Sequence, residues 1–203
     1  MLLAESQKIG NNEYGVQPRK FSLWLLIMSM CMFFAGLTSV IIVRMSEGNW
    51  FKFDLPSEFV WSTLAVVLSS LTMILAYKSA KKDNLLATQI FLGLTLMLGL
   101  TFVFLQINGF ETLNSHGIFF APKKGSQGGM ISGSFVFLLV AAHLAHLAGG
   151  IIFILVVFVK SFLYKVHKKN TLSISMCNTY WHFVGILWLY LYMFLYLAPK
   201  LLL

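Results

Sequence analysis

The sequence predicts an all-α integral membrane bundle of five transmembrane helices. Three observations predict this fold class. Hydrophobic residues make up 58% of the 203 residues and charged residues only 11%, against roughly a quarter charged in an ordinary soluble domain. The seven acidic residues lie in the N-terminal region, between apolar runs or at their edges, as expected if the runs lie in hydrocarbon. Five of these runs are long enough to cross a bilayer.

The five predicted spans form a single membrane domain, residues 21–203, that follows a polar cytoplasmic tail of residues 1–20. Each span is near or above the roughly 20 residues that a helix needs to cross the hydrocarbon. The first run is too long for the apolar segment of a signal peptide, so we expect it to remain as a membrane anchor. The predicted spans are residues 21–43, 58–77, 85–108, 130–159 and 176–198.

Lysine and arginine residues predict the orientation of the bundle. Five spans place the two termini on opposite sides of the membrane, and ten of the 15 Lys and Arg residues fall on the side of the N-terminus. The positive-inside rule therefore predicts a cytoplasmic N-terminus and a periplasmic C-terminus. Because these residues cluster in short loops, the net charge of +8 does not indicate a nucleic acid partner, which would require a basic stripe with interleaved aromatic residues.

Three histidines lie within the predicted spans. His143 and His146 are three residues apart near the middle of the fourth span, and His182 lies early in the fifth. A bis-histidine haem needs ligands on facing helices, which only His182 could supply from near a membrane surface. A metal site usually recruits carboxylate or thiolate partners, and no acid lies within the spans. We therefore favour imidazoles that bridge neighbouring helices, each hydrogen bond contributing about 1 kcal/mol in lipid.

The small residues and the cysteines of the spans also allow predictions about packing and burial. Ala141, Ala145 and Gly149 recur at four-residue spacing in the fourth span, which predicts a smooth face for close approach of helices within the bundle. Cys31 and Cys177 both fall in apolar runs. We expect them to be small buried hydrophobic residues rather than a disulfide or a metal pair.

Each of the five runs contains a recognisable fragment, in chain order KFSLWLLIMSMCMFFAGL, LPSEFVWSTLAVVLSSLT, LGLTFVFLQ, SGSFVFLLVAAHLAHLAGG and YWHFVGILWLYLY. Taken together in this order, the fragments resemble subunit III of the haem-copper oxidases, the family of cytochrome c oxidases and quinol oxidases. The resemblance covers nearly all of the chain after about residue 18. Its most specific parts are the pair His143 and His146 and the stretch YWHFV, residues 180–184, followed by Trp188.

The resemblance implies a five-span form that lacks the first two of the seven spans found in many members, in a bacterial inner membrane. It implies a non-catalytic subunit of a cytochrome c oxidase-type, proton-translocating complex that packs against subunit I, beside subunit II and other respiratory subunits, and binds phospholipid. Haem and copper are then held by the partner subunits, with no cofactor or metal in this chain. His143, His146, Trp181, His182 and Trp188 would be helix-bridging, structural or lipid-contact residues.

The chain departs from the family pattern at three acidic positions. The glutamate that usually follows Ser29 is Met30, the glutamate that usually follows the third span's Gln106 is Gly109, and the aspartate that often follows YWHFV is Gly185. Because none of these residues can titrate, we expect a scaffold and lipid-contact subunit with a reduced electrostatic role.

Other functions remain as alternatives at this stage. A subunit III-like protein of quinol oxidase or of nitric oxide reductase would share the fold and much of the motif order, and the electron donor is set by other subunits. A transporter or channel is disfavoured because the spans lack acids and broken, Gly- and Pro-rich helices. A membrane cytochrome with its own haem would show a visible spectrum.

Overall fold

The chain folds into five long helices, which confirms the predicted fold class. A computed structural model describes residues 18–46, 57–115, 129–163 and 171–202, and no strand occurs among them. All five helices are long and apolar enough to cross a membrane. Each extends past the predicted span at one or both ends. They are α1 (Pro18–Ser46), α2 (Glu58–Lys81), α3 (Leu85–Ser115), α4 (Gly129–Phe162) and α5 (Leu172–Leu202).

Parts of the predicted tail and of several charged loops lie outside the described residues. The tail was expected to end at residue 20, whereas α1 already begins at Pro18, a residue suited to the first helical position because its missing N–H has no partner to lose there. Residues 1–17 and most of the loop lysines are not among those described. The orientation of the termini therefore stays a prediction from the loop charges.

A short turn joins α2 to α3 and sets them side by side. Asp83 adopts a positive φ of 60° after the end of α2, a left-handed conformation that reverses the chain and that Asp tolerates better than most residues. Asn84 Oδ1 then accepts a hydrogen bond of 3.2 Å from the Ala87 N–H, which caps the first turn of α3. The two helices are thereby held antiparallel along most of their length.

Each helix buries one stripe and exposes the rest of its apolar surface. In α2 and α3 the buried residues alternate at spacings of three and four, the pattern of two helices that wrap around each other with knobs-into-holes packing. Large apolar side chains remain outside, among them Met32 at 75% and Trp61 at 63% exposure. A surface of this kind is the norm when lipid, not water, surrounds the bundle.

Helix α5 lies against three others and organises the bundle. It packs against α1, α2 and α4, whereas α3 packs against α2 and α4, and α1 also packs against α4. Among the described residues the backbones of α1 and α2 make no close approach to each other. They flank α5 on two sides, and the outer face of α5 lies open between them.

Two expectations about small side chains need correction. Ala141, Ala145 and Gly149 are exposed on the outer face of α4 rather than packed inside the bundle, because the opposite face of α4 carries the larger buried residues. Cys177 is buried as expected, but Cys31 is exposed on α1. Both cysteines are free thiols.

Candidate functional site

One ring from each of the five helices meets at the centre of the bundle. His143 of α4 lies 5.2 Å from Trp188 of α5, 6.1 Å from Phe102 of α3 and 6.4 Å from Phe34 of α1, measured between ring centroids. Phe59 of α2 stacks on Trp188 at 6.0 Å with an interplanar angle of 14°. We call these five residues the central aromatic cluster. It ties every helix of the bundle to His143 or to its neighbour Trp188.

His143 is buried against aromatic rings from three other helices. Its side chain is fully buried, and neither ring nitrogen has a hydrogen-bond partner among the described residues. An unpaired buried polar group costs about 1–3 kcal/mol. The expectation of a helix-bridging hydrogen bond is therefore not matched by the geometry at His143, whose contacts to other helices are ring contacts.

His146 lies one turn further along the same face of α4. Its Nδ1 is 2.7 Å from the carbonyl oxygen of Ala142 in its own helix, so the imidazole hydrogen bond stays within α4. The interhelical link at this residue uses its backbone instead, because the Tyr180 hydroxyl donates to the His146 carbonyl oxygen at 2.9 Å. Phe34 lies 5.6 Å from the His146 ring and thus contacts both histidines.

The two tryptophans of α5 make the interhelical hydrogen bonds. Trp181 Nε1 donates to Ser69 Oγ at 3.1 Å, and Trp188 Nε1 donates to Thr63 Oγ1 at 3.0 Å. Both acceptors lie on α2, and both indoles are at most 2% exposed. Two buried N–H groups are thereby satisfied by two hydroxyls.

The Trp181 indole fits between two glycines on different helices. A Cβ atom on Gly99 of α3 would lie 2.9 Å from Trp181 Cη2, and a Cβ on Gly150 of α4 would lie 3.2 Å from Cε3 of the same ring. Any side chain at either position would force the indole to move. The third span's Gly99 therefore serves the placement of one aromatic ring of α5.

Further interhelical hydrogen bonds, which the sequence alone did not single out, concentrate on α2. Gln106 Nε2 donates to Ser62 Oγ at 2.8 Å, and the hydroxyls of Thr72 and Thr95 are 2.8 Å apart. On the other side of the bundle, Thr38 Oγ1 and the Tyr190 hydroxyl are 3.1 Å apart and join α1 to α5. Ser62 and Ser69, seven positions apart on the buried face of α2, and Thr72 three positions further along were the signal that could have indicated these pairs.

The remaining predicted residue, His182, lies near the start of α5 and is half-buried. Its Nε2 has no hydrogen-bond partner among the described residues. Searched over the same residues, the structure brings together no group of three or more His, Cys, Asp or Glu side chains that could hold a metal ion.

The three positions that carry acids in the resembled family are packed against neighbours. Met30 is 2% exposed and belongs to the buried stripe of α1. A Cβ at Gly109 would lie 2.9 Å from the ring of Phe59, and a Cβ at Gly185 would lie 3.3 Å from Ser70 Oγ. Acidic side chains at these two glycines would require the Phe59 ring and the Ser70 hydroxyl to move.

Comparisons with known proteins agree on one family. The family model described as cytochrome c oxidase subunit III matches residues 2–199. Similar relatives include subunit 3 of the cytochrome bo(3) ubiquinol oxidase of Buchnera aphidicola subsp. Baizongia pistaciae, 30% identical over 96% of this chain and 98% of the relative. The same subunit of Pseudomonas aeruginosa is 30% identical over 98% and 96%. Cytochrome c oxidase subunit 3 of Bacillus sp. strain PS3 is 25% identical over 86% and 83%.

Proposed function

The chain belongs to the cytochrome c oxidase subunit III family, and we propose that it is a non-catalytic subunit of a respiratory terminal haem-copper oxidase that packs against subunit I. The observation that carries this proposal is the family match over nearly the whole chain together with five helices able to cross a membrane. The relatives it resembles are named as subunits of oxidases, so the complex it joins is an oxidoreductase.

The interior of the chain supports a structural role. His143 is surrounded by the rings of Phe34, Phe102 and Trp188, so a haem or a metal ion at its nitrogens would have to displace one of them. We place haem and copper in the partner subunits for this reason. The hydrogen bonds of Trp181 and Trp188 to α2 fix the relative rotation of the helices, which a rigid docking partner requires.

Two electron donors fit the family, and the relatives favour one. Three relatives at 30% identity that align over nearly the full length of both chains are named ubiquinol oxidase subunits, whereas two relatives named for cytochrome c oxidase are 30% identical over only 66% of this chain and 25% identical over 86% of it. The proposal is therefore a quinol oxidase or a cytochrome c oxidase, with quinol favoured. The subunit III-like protein of nitric oxide reductase stays the alternative outside this pair.

The proposed location is a bacterial inner membrane, with the N-terminus in the cytoplasm. Proton translocation belongs to the complex, and this chain contributes to it through the stability of the assembly. Met30, Gly109 and Gly185 supply no titratable group at the family's acidic positions. Subunit II, other respiratory subunits and membrane phospholipid complete the proposed partners.

Co-purification tests the proposal directly. The chain is tagged in its own host, the membranes are solubilised gently, and the recovered subunits are identified together with the visible spectrum of the same fraction. We expect a haem-copper subunit I, with haem absorption that disappears when this chain is stripped to purity. Recovery of the chain alone, or with haem that stays bound to it, would contradict the proposal. Oxidation of ubiquinol or of reduced cytochrome c by the fraction then identifies the donor.

A further inference from the structure

Three sulfur-bearing side chains lie together on the outer face of α1. Met28 and Met32 are 59% and 75% exposed, and Cys31 is an exposed free thiol. Residues three and four apart on a helix share one face, with Cβ atoms about 5–6 Å from each other. We call Met28, Cys31 and Met32 the α1 sulfur triad.

The combination of an exposed thiol with exposed thioethers is particular to this face of α1. The other cysteine of the chain, Cys177, is buried in α5. Met30 lies in the same stretch of α1 but is 2% exposed and belongs to the core. Met97 of α3 and Met193 of α5 are as exposed as Met28, but neither has a cysteine three or four residues away.

The sulfur atoms of the triad can reach one common ion. Side chains this exposed are not held by close packing against the other described helices, and methionine has three rotatable bonds. Thiolate and thioether are soft ligands, and such ligands select Cu(I). The protein would therefore offer three donors of one chemical kind within one turn of a helix.

The charge of the complex suits its place in the membrane. Cys31 lies in the middle of a helix able to cross the bilayer, where a net charge is costly. A thiol that coordinates a metal is deprotonated, so one thiolate and two thioethers around Cu(I) give a complex without net charge. A divalent cation on the same donors would keep a positive charge, which disfavours Zn²⁺ at this position.

From these observations we infer that the α1 sulfur triad binds one Cu(I) ion within the membrane. Copper arrives bound to the thiolate of a small carrier thiol. As the bond from copper to Cys31 Sγ forms, the bond to the carrier sulfur breaks and the carrier takes up the Cys31 proton, so copper stays Cu(I) throughout. The same exchange can pass copper on to another membrane protein with soft ligands. The inference goes beyond the proposed function, in which copper belongs to the partner subunits.

Copper counting on matched variants tests the site. The assembly that the tagged chain brings out of the membrane is incubated without oxygen with the Cu(I) complex of bicinchoninate and is washed with the free chelator. Copper is then counted by elemental mass spectrometry for each copy of this chain. Cys31→Ser keeps the size of the side chain but removes the soft donor. Met28→Leu with Met32→Leu removes both thioethers, and Met97→Leu with Met193→Leu, which removes two equally exposed methionines, is its control.

We expect the wild-type assembly to hold one copper atom more than Cys31→Ser. Met28→Leu with Met32→Leu should lose this atom, and the control pair should keep it. Equal copper in the wild type and Cys31→Ser would overturn the inference, as would binding that survives the loss of both thioethers or a Zn²⁺ difference as large as that of copper. Because the count is a difference between variants, copper in any co-purified subunit cancels, and the subunits in the fraction report separately on the proposed function.

Alkylation of Cys31 gives a second measurement that does not depend on counting metal. A lipid-soluble maleimide should label Cys31 in the copper-free assembly, and Cu(I) should block this labelling, while the buried Cys177 stays unlabelled. Labelling that Cu(I) leaves unchanged would overturn the inference. Failure to label Cys31 without copper would also overturn it, since a neighbouring subunit would then cover the α1 sulfur triad.

Discussion

Trp181 Nε1 lies 3.1 Å from Ser69 Oγ and joins α5 to α2 inside the bundle. The two residues are separated by 112 positions in the chain, yet each satisfies the other's buried polar group. Because lipid gives no hydrophobic drive for helix association, such hydrogen bonds and close packing decide how the helices meet. Two indole–hydroxyl pairs therefore determine how α5 is oriented against α2.

We predict that the Trp181–Ser69 hydrogen bond contributes about 1 kcal/mol to the stability of the folded chain, which lies within the range measured for such bonds in membranes. A double-mutant cycle with Trp181→Phe, Ser69→Ala and the double variant isolates this contribution. The thermal midpoint and the denaturant midpoint of the purified assembly are the measurements. Trp24→Phe is the matched control, since Trp24 is 58% exposed on α1. Additive effects of the two changes would contradict the prediction.

We predict that Gly99→Ala destabilises the chain by about 1–3 kcal/mol, the usual cost of overpacking a filled core. The added methyl would lie 2.9 Å from Trp181 Cη2, and the indole is held on its other side by Gly150 and at its nitrogen by Ser69. Thermal unfolding of the purified assembly measures the loss.

Gly36→Ala is the matched control for Gly99→Ala. No other helix among the described residues comes within 4 Å of a Cβ at Gly36 on the outer side of α1, so the change should leave stability unaltered or raise it by up to about 1 kcal/mol through helix propensity. If Gly99→Ala proves as stable as Gly36→Ala, the indole has room that the structure does not show.

The sequence predicted the five spans because span length and apolar content are local properties of the chain. It did not predict the partners of Trp181 and Trp188, because those depend on the rotation of each helix about its axis and on which helices are neighbours. Spacing alone misplaced Ala141, Ala145 and Gly149, since a stripe of small residues has the same period on the inner and the outer face of a helix. The motif residues were thus identifiable, but their contacts were not.

His143 is a second case in which the sequence predicted the position of a residue but not its contacts. The spacing of His143 and His146 indicated one helix face, and both rings do contact Phe34. A hydrogen bond to a neighbouring helix was expected from the cost of burying imidazole. The structure instead surrounds His143 with aromatic rings, a feature that depends on Phe102 and Trp188 from two other helices.

We predict that His143→Phe is neutral or stabilising. Both imidazole nitrogens are unpaired among the described residues, so a phenyl ring of similar size keeps the contacts with Phe34 and Trp188 and removes the cost of the unpaired groups. The measurements are the thermal midpoint and the haem spectrum of the purified assembly, and we expect no loss of haem.

Trp188→Phe serves as the comparison for His143→Phe. It keeps an aromatic ring but removes the N–H that bonds Thr63 Oγ1 at 3.0 Å, so it should be the more destabilising of the two. A loss of haem on His143→Phe would reopen a ligand role, and a loss of stability larger than that of Trp188→Phe would indicate a hydrogen bond at the imidazole.

We predict that Met30→Glu lowers the stability of the assembly by several kcal/mol without raising proton pumping, because a carboxylate in an apolar site without a partner is costly. Met30 is 2% exposed in the buried stripe that also contains Ile27 and Phe34, and this stripe offers no cation to pair with a charge.

Met30→Gln has a side chain similar in shape to that of Met30→Glu and is the neutral control, so only the difference between the two variants reports on charge. The thermal midpoint, the proton-to-electron ratio and the number of turnovers before inactivation are measured on the same preparation. A marked rise in pumping or in turnover lifetime with Met30→Glu, absent from Met30→Gln, would show that the position still serves proton movement and would argue against a subunit that acts as a scaffold alone.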